Sequence, residues 1–217
     1  SHPIPTAEIR YTLDGTEPDS ITGKVYTEPI FTKSTGKIIA KAYASEWKGS
    51  KPSESIFIHS GIQPTESFLV NDPNPKYKAT GVATLFDLVK AEAPNHSQKW
   101  LGFQDDPMVL EVSFEKENNP KEISLSLLYN EGAHIFPPSK VLVHGWENGR
   151  WTQLAINTPI PSTQGAPARS ELLNLALENT NYEKLKITLS PLQSLPKWHP
   201  NSGSKGWVFV DEVIFNV

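Results

Sequence analysis

Few residues in this chain have the types and spacing for covalent chemistry. Asp211 and Glu212 stand side by side, and adjacent carboxylates can divide general-acid and substrate-orienting roles between them. Such a pair works only where both groups reach one cleft, and successive residues of a strand point to opposite faces. The run "GWVFVDEVIF" around them is apolar at nearly every other position, so the pair is expected to lie in a strand and not in an active site. No His-Glu-x-x-His, Gly-x-Ser-x-Gly or phosphate-cradling glycine loop occurs. The 6 histidines sit far apart, without zinc spacing. The absence of cysteine removes disulfides, thiolate metal sites and cysteine nucleophiles together. No catalytic residue is assigned, and the chain itself is not expected to be an enzyme.

Aromatic side chains set in polar loops offer a different chemistry. A flat ring covers the apolar side of a pyranose while neighbouring polar groups take its hydroxyls. Three loops carry such residues: "KAEAPNHSQK" with His96, "YNEGAHIF" with Tyr129, Asn130, Glu131 and His134, and "PKWHPNSGSK" with Trp198, His199 and Asn201. Trp198-His199 leads, because a loop of Pro, Gly and Ser has little other use for a large aromatic. The competing reading makes Trp198 a plug that closes the bottom of a barrel. Trp100, Trp146, Trp151 and Trp207 are assigned mainly to core or hairpin packing, and Phe103 to either role. Asn95-His96-Ser97 is a formal glycosylation sequon of the kind expected by chance.

The elements that must position these residues are strands. Nineteen prolines, 13 glycines and many β-branched residues predict an all-β chain with numerous turns. "IRYTL" (9–13) alternates apolar and polar residues before Asp14-Gly15, which supplies a tight turn, and "KVYTEPIF", "KIIAKAYAS" and "SESIFIHS" follow at sandwich-like spacing. Residues 61–75, with three prolines and no basic residue, predict a linker that partly docks through Phe68, Leu69 and Val70. Beyond it, "MVLEVSF" and "EISLSLLYN" alternate as half-buried strands do. "KVLVHGW", Asn148-Gly149 and "RWTQLAI" predict a type I′ hairpin. "LLNLALE" and "KLKITLSPL" predict another pair around "NTNY", in preference to a helix over 171–178.

The net charge of −4 is spread evenly, with no basic stripe for phosphates, so nucleic acid is not an expected partner. No run of about 18 apolar residues could span a membrane. The first residues hold no visible signal peptide, and the missing initiator Met predicts an excised or processed chain.

Residues 8–60 resemble the small β-sandwich appended to bacterial chitobiases and β-hexosaminidases. Tyr11 to Pro18, Tyr26 to Ile30 and Ile38 to Ala42 carry the resemblance, which implies a non-catalytic module. Residues 76–217 resemble the discoidin-like, galactose-binding-like jelly roll that includes the family 32 carbohydrate-binding modules. "TLFDLVKA", "KWLGF", "HIFPPSKVLVHGWENGRW" and "WVFVDEVIF" carry that one, although Asp87-Leu88 and "EKENNP" depart from its pattern. The resemblances imply an immunoglobulin/fibronectin-like sandwich (1–60), the linker (61–75) and a β-sandwich jelly roll (76–217). They further imply a structural calcium with Asp87 and Glu212 as its carboxylates, against a plainer reading in which Asp87 caps a turn and Glu212 faces solvent. Together they imply an accessory region of a bacterial β-N-acetylhexosaminidase-like glycoside hydrolase, periplasmic, cell-surface or extracellular. Its expected partners are a glycan, such as terminal galactose or N-acetylhexosamine, and the parent's catalytic domain. The alternative is a purely structural spacer or docking module without a glycan ligand.

Overall fold

The computed structural model describes residues 6–45, 47–59, 61–95, 98–115, 119–160, 162–177 and 182–216. The chain divides into two compact units, Ser1–His59 and Ser60–Val217. Strands dominate both. Among the described residues the helical elements are two short 3-10 turns, Gly81–Phe86 and Glu131–Ala133, and no helix is long and apolar enough to cross a membrane.

In the first unit β1 (Glu8–Thr12), β2 (Lys24–Val25), β3 (Gly36–Tyr43) and β4 (Ser53–Phe57) form one antiparallel sheet in the order β2-β1-β3-β4. Asp14-Gly15 does not join β1 directly to β2. It opens a longer loop, in which Gly15 takes φ +78° and the Asp14 carboxylate accepts bonds from the Thr16 amide (3.0 Å) and hydroxyl (2.6 Å). Those bonds hold the Asp14 carboxyl below its ordinary range. Tyr43 Oη ties the loop to the sheet by donating to Pro18 O at 2.6 Å. Among the described residues of this unit Ile39 is the buried large apolar side chain, whereas Phe31 is 92% exposed and Ile21 83%.

The second unit is a sandwich of two sheets. The five-stranded sheet runs β10-β9-β12-β7-β5, from β5 (Glu66–Leu69), β7 (Met108–Ser113), β9 (Lys140–Glu147), β10 (Arg150–Asn157) and β12 (Lys184–Ser190). The four-stranded sheet runs β11-β8-β13-β6, from β6 (Leu101–Phe103), β8 (Glu122–Tyr129), β11 (Arg169–Ala176) and β13 (Val208–Asn216). Between them lies one core that includes Met108, Leu110, Leu125, Val143, Ile187 and Phe215. Burying that much apolar surface is the main source of the unit's stability.

Two expectations change here and one holds. The stretch expected as a linker supplies β5, whose residues 66–69 pair with β7 and so find partners for their backbone groups. "LLNLALE" and "KLKITLSPL" do not pair with each other. The first forms β11, paired to β8, and the second forms β12, between β7 and β9 in the other sheet. The Asn148-Gly149 turn joins β9 to β10, with φ +52° and +79° as a type I′ turn needs.

Candidate functional site

Two polar clusters occupy the four-stranded side of the second unit. The first lies at one end, where the loops after β8 and β12 and the start of β11 meet. After β8 the chain makes the 3-10 turn Glu131–Ala133, and His134 adopts φ +63°, a left-handed position stabilised by its amide donating to Glu131 O. The loop after β12 brings His199 beneath it, with the two imidazoles edge to face at 4.9 Å. His199 Nδ1 accepts from the Asn201 amide at 3.1 Å, which leaves Nε2–H to donate to Glu131 O at 3.0 Å. By the same logic Asn201 Nδ2 donates to His134 Nε2 at 2.8 Å. Trp198 is half-buried, with Phe136 at 6.0 Å and His199 at 5.8 Å between ring centres.

Arg169, at the start of β11, closes the cluster. Its guanidinium lies 5.0 Å from the centre of the Tyr129 ring and donates to Glu131 Oε1 (3.3 Å) and Glu171 Oε1 (3.0 Å). Burial pushes the Tyr129 phenol well above its usual range.

Of the expected binding residues, five are thus brought together: Trp198, His199, His134, Tyr129 and Glu131. His96 lies outside the described residues. Within the five there is a division. Glu131, His199 and Tyr129 are buried, while Trp198 and His134 are part-exposed beside the exposed Asn201. Trp198 is therefore neither fully buried nor fully exposed. Arg169 and Phe136 were not singled out by the sequence. Arg169 follows the low-charge run "STQGAPA", and only its alignment with Tyr129 across β8 and β11 reveals its place.

The second cluster surrounds Asp211 and Glu212. The pairing of β13 with β8 shifts register between Val210 and Glu212, a β-bulge. Core-facing residues are Val208 and Val210 before it and Val213 and Phe215 after it, so Asp211 and Glu212 both lie off the core. The expectation that the two carboxylates face opposite ways fails at this bulge. Neither faces solvent, because both are buried, with Lys90 and Ala91 on Asp211 and Asp87 beside Glu212, which also overturns the solvent-facing reading of Glu212.

Asp211 Oδ2 receives Lys90 Nζ at 2.8 Å and the Ala91 amide at 2.7 Å. Lys90 Nζ also sits 4.4 Å from the Trp100 ring centre. Burial raises the Asp211 carboxyl, opposed by Lys90. Glu212 is pushed up to about 8, by burial first, then by a hydrogen bond with Asp87 and the charges of Asp211 and Asp87. Asp87 itself ends the 3-10 turn Gly81–Phe86 and accepts the Val89 amide at 2.8 Å. Both Glu212 oxygens, Asp211 Oδ1 and Ser126 Oγ are buried without a well-formed hydrogen bond. Buried carboxylate oxygens with spare acceptor capacity beside the first loop have the donor chemistry of a hard cation site. Among the described residues, however, no group of three or more His, Asp or Glu side chains is placed to hold a metal, so a cation here would also need main-chain carbonyls.

Comparison with known proteins gives the following. Residues 1–63 match the Fn3 associated family. A SusE-like protein, BT2857, superposes with a TM-score of 0.40 at 12% identity, covering 96% of this chain and 87% of that one. The family 32 carbohydrate-binding module from C. perfringens NanJ, in complex with galactose, gives 0.42 at 15% identity, covering 68% and 90%. The family 32 module of AlyQ, in complex with 4,5-unsaturated mannuronic acid, gives 0.39 at 10% identity, covering 71% and 96%. No curated protein matches the chain. Superposition this partial leaves the functional reading to the residues themselves.

Proposed function

We propose that this chain is a non-catalytic accessory region of a secreted or surface glycoside hydrolase, and that its second unit binds carbohydrate at the first cluster. One observation carries the reading: Trp198 stands half-exposed in a polar loop, braced by Phe136 and His199, next to the His134–Asn201 pair. An indole held this way is a platform for a pyranose face, and the pair sets polar groups at fixed positions beside it. Glu131, His199, Tyr129 and Arg169 are spent on one another and act as supports.

The ligand class is a terminal galactose or N-acetylhexosamine. Affinity per site is weak, because a single sugar buries little apolar surface, and tethering supplies the gain by raising local substrate concentration. The first unit is a chitobiase-type spacer, the parent a bacterial β-N-acetylhexosaminidase-like enzyme acting in the periplasm, at the cell surface or outside. Exposed Phe31, Ile21 and Trp47 in that unit favour a second role, docking against the parent's catalytic domain.

Calcium, held by Asp87 and Glu212 with main-chain oxygens, would serve structure here by neutralising the buried carboxylates and fixing the first loop to β13. Raising calcium over metal-stripped protein then raises its melting temperature, and an unchanged melting curve rejects the ion. The binding reading is tested by a glycan array followed by calorimetry on the wild type and Trp198→Ala. Binding that vanishes in the variant supports it, and silence from folded protein across the array rejects it.

A further inference from the structure

The five-stranded sheet has an outer face on which, among the described residues of the second unit, the side chains of β7, β9 and β12 stay part-exposed. Along β7, β9 and β12 buried residues alternate with part-exposed ones, and the pairing registers align the outward set into rows. One row crosses all five strands: Gln153, His144, Lys186, Glu111 and Phe68. The neighbouring row begins with Trp151 and Trp146, paired across the β9–β10 hairpin with their rings 5.2 Å apart. Both indoles were assigned to core or hairpin packing, and they pack on the hairpin's outer side, half-buried.

These residues are held in place. Lys186 Nζ lies 4.0 Å from the Trp151 ring centre and 2.9 Å from Glu111 Oε1. Its charge is therefore matched within the face, and His144 is kept below its ordinary titration range by burial and by Lys186. The middle of the face offers hydrogen-bonding groups without a net charge to select an ionic partner. An aromatic pair stands at one side and Phe68, 51% exposed, at the other. Between β9 and β5 lie three strand spacings, about 14 Å, which is longer than one sugar ring.

We propose that this face is a second carbohydrate site, one that takes an extended, neutral oligosaccharide laid across the strands. Its rings stack at Trp146/Trp151 and at Phe68, and its hydroxyls meet His144, Lys186 and Glu111 between them. The site goes beyond the loop cluster, which meets the end of a chain, and stands whether or not that cluster binds.

The test is calorimetric titration of wild type, Trp151→Ala, Phe68→Ala and Trp198→Ala with cello- and chito-oligosaccharides from one sugar to four. Affinity should rise with chain length. The tetrasaccharide should lose about tenfold in Trp151→Ala and in Phe68→Ala, and the same loss should appear when Trp198→Ala is already present. Phe68 is exposed on a different strand from Trp151, so its variant reports on the face even if the hairpin variant unfolds. Length-independent binding, loss confined to Trp198→Ala, full affinity in Phe68→Ala, or no binding by folded protein would each overturn the proposal. Failure of the loop site shows separately, as terminal-sugar binding indifferent to Trp198→Ala.

Discussion

Along β8 and β13 both faces are buried, whereas β7, β9 and β12 bury alternate residues only. The two sheets share one core, yet among the described residues the outer face of one carries a second small core and the outer face of the other carries none. Trp100, Ala91, Leu128, Ile135 and Phe209 form that second core, with Tyr77 and Trp207 packed against it. The loop that covers it also covers Asp211 and Glu212. The difference teaches how the fold separates tasks. A sheet covered on both sides is a foundation and can hold buried charge, while a sheet open on one side is free to meet a ligand.

The largest test of this contrast is to remove one indole from each outer face. Trp100 is fully buried and its Nε1 donates to Asn95 O at 2.9 Å. Trp100→Ala should cost about 4 kcal/mol in a urea titration, and Trp151→Ala under about 1 kcal/mol. Equal losses would erase the distinction between the faces. Next in size is Lys90→Met, which leaves Asp211 buried without its cation and should cost about 3 kcal/mol. Adding Asp211→Asn to it should recover part of the loss; no recovery would mean that Lys90 acts through packing alone.

A third test is the pH dependence of the metal-free protein. Glu212 titrates near 8 in the fold against an ordinary 4.5. The folded state therefore holds a proton that the unfolded state has released, and between these values stability falls as pH rises. The contribution is fully present below about pH 4.5 and gone above about pH 8. Glu212→Gln should flatten this slope relative to wild type, read from melting temperatures across that range, and an unaltered slope would place the titration elsewhere.

The all-β character was legible because it is local: alternation, β-branched residues and turn dipeptides each act within a few residues. The Asn148-Gly149 turn was readable for the same reason. The partners of β11 and β12 were not, since sandwich connections cross between sheets and nearness in sequence does not decide pairing. Ser124 and Ser126 alternate in β8 as an exposed face would, and nothing in that strand announces the loop that buries them. The site was half legible. Loop aromatics marked the neighbourhood of Trp198, but the bulge beside Asp211 and the reach of Arg169 belong to strand register, which the run of residue types does not state.

The Ile62–Phe215 bridge bears on how the second unit would carry load. The Ile62 amide donates to Phe215 O at 2.8 Å, and a Cβ on Gly61 would lie 1.9 Å from that same oxygen. Residues 61–62 thus lie against the end of β13. Tension between these two points would fall first on a single hydrogen bond opened end-on, in the geometry of a zipper. The long antiparallel ladders of both sheets would be loaded only after it parted, so a pull along the chain peels this unit from its seam.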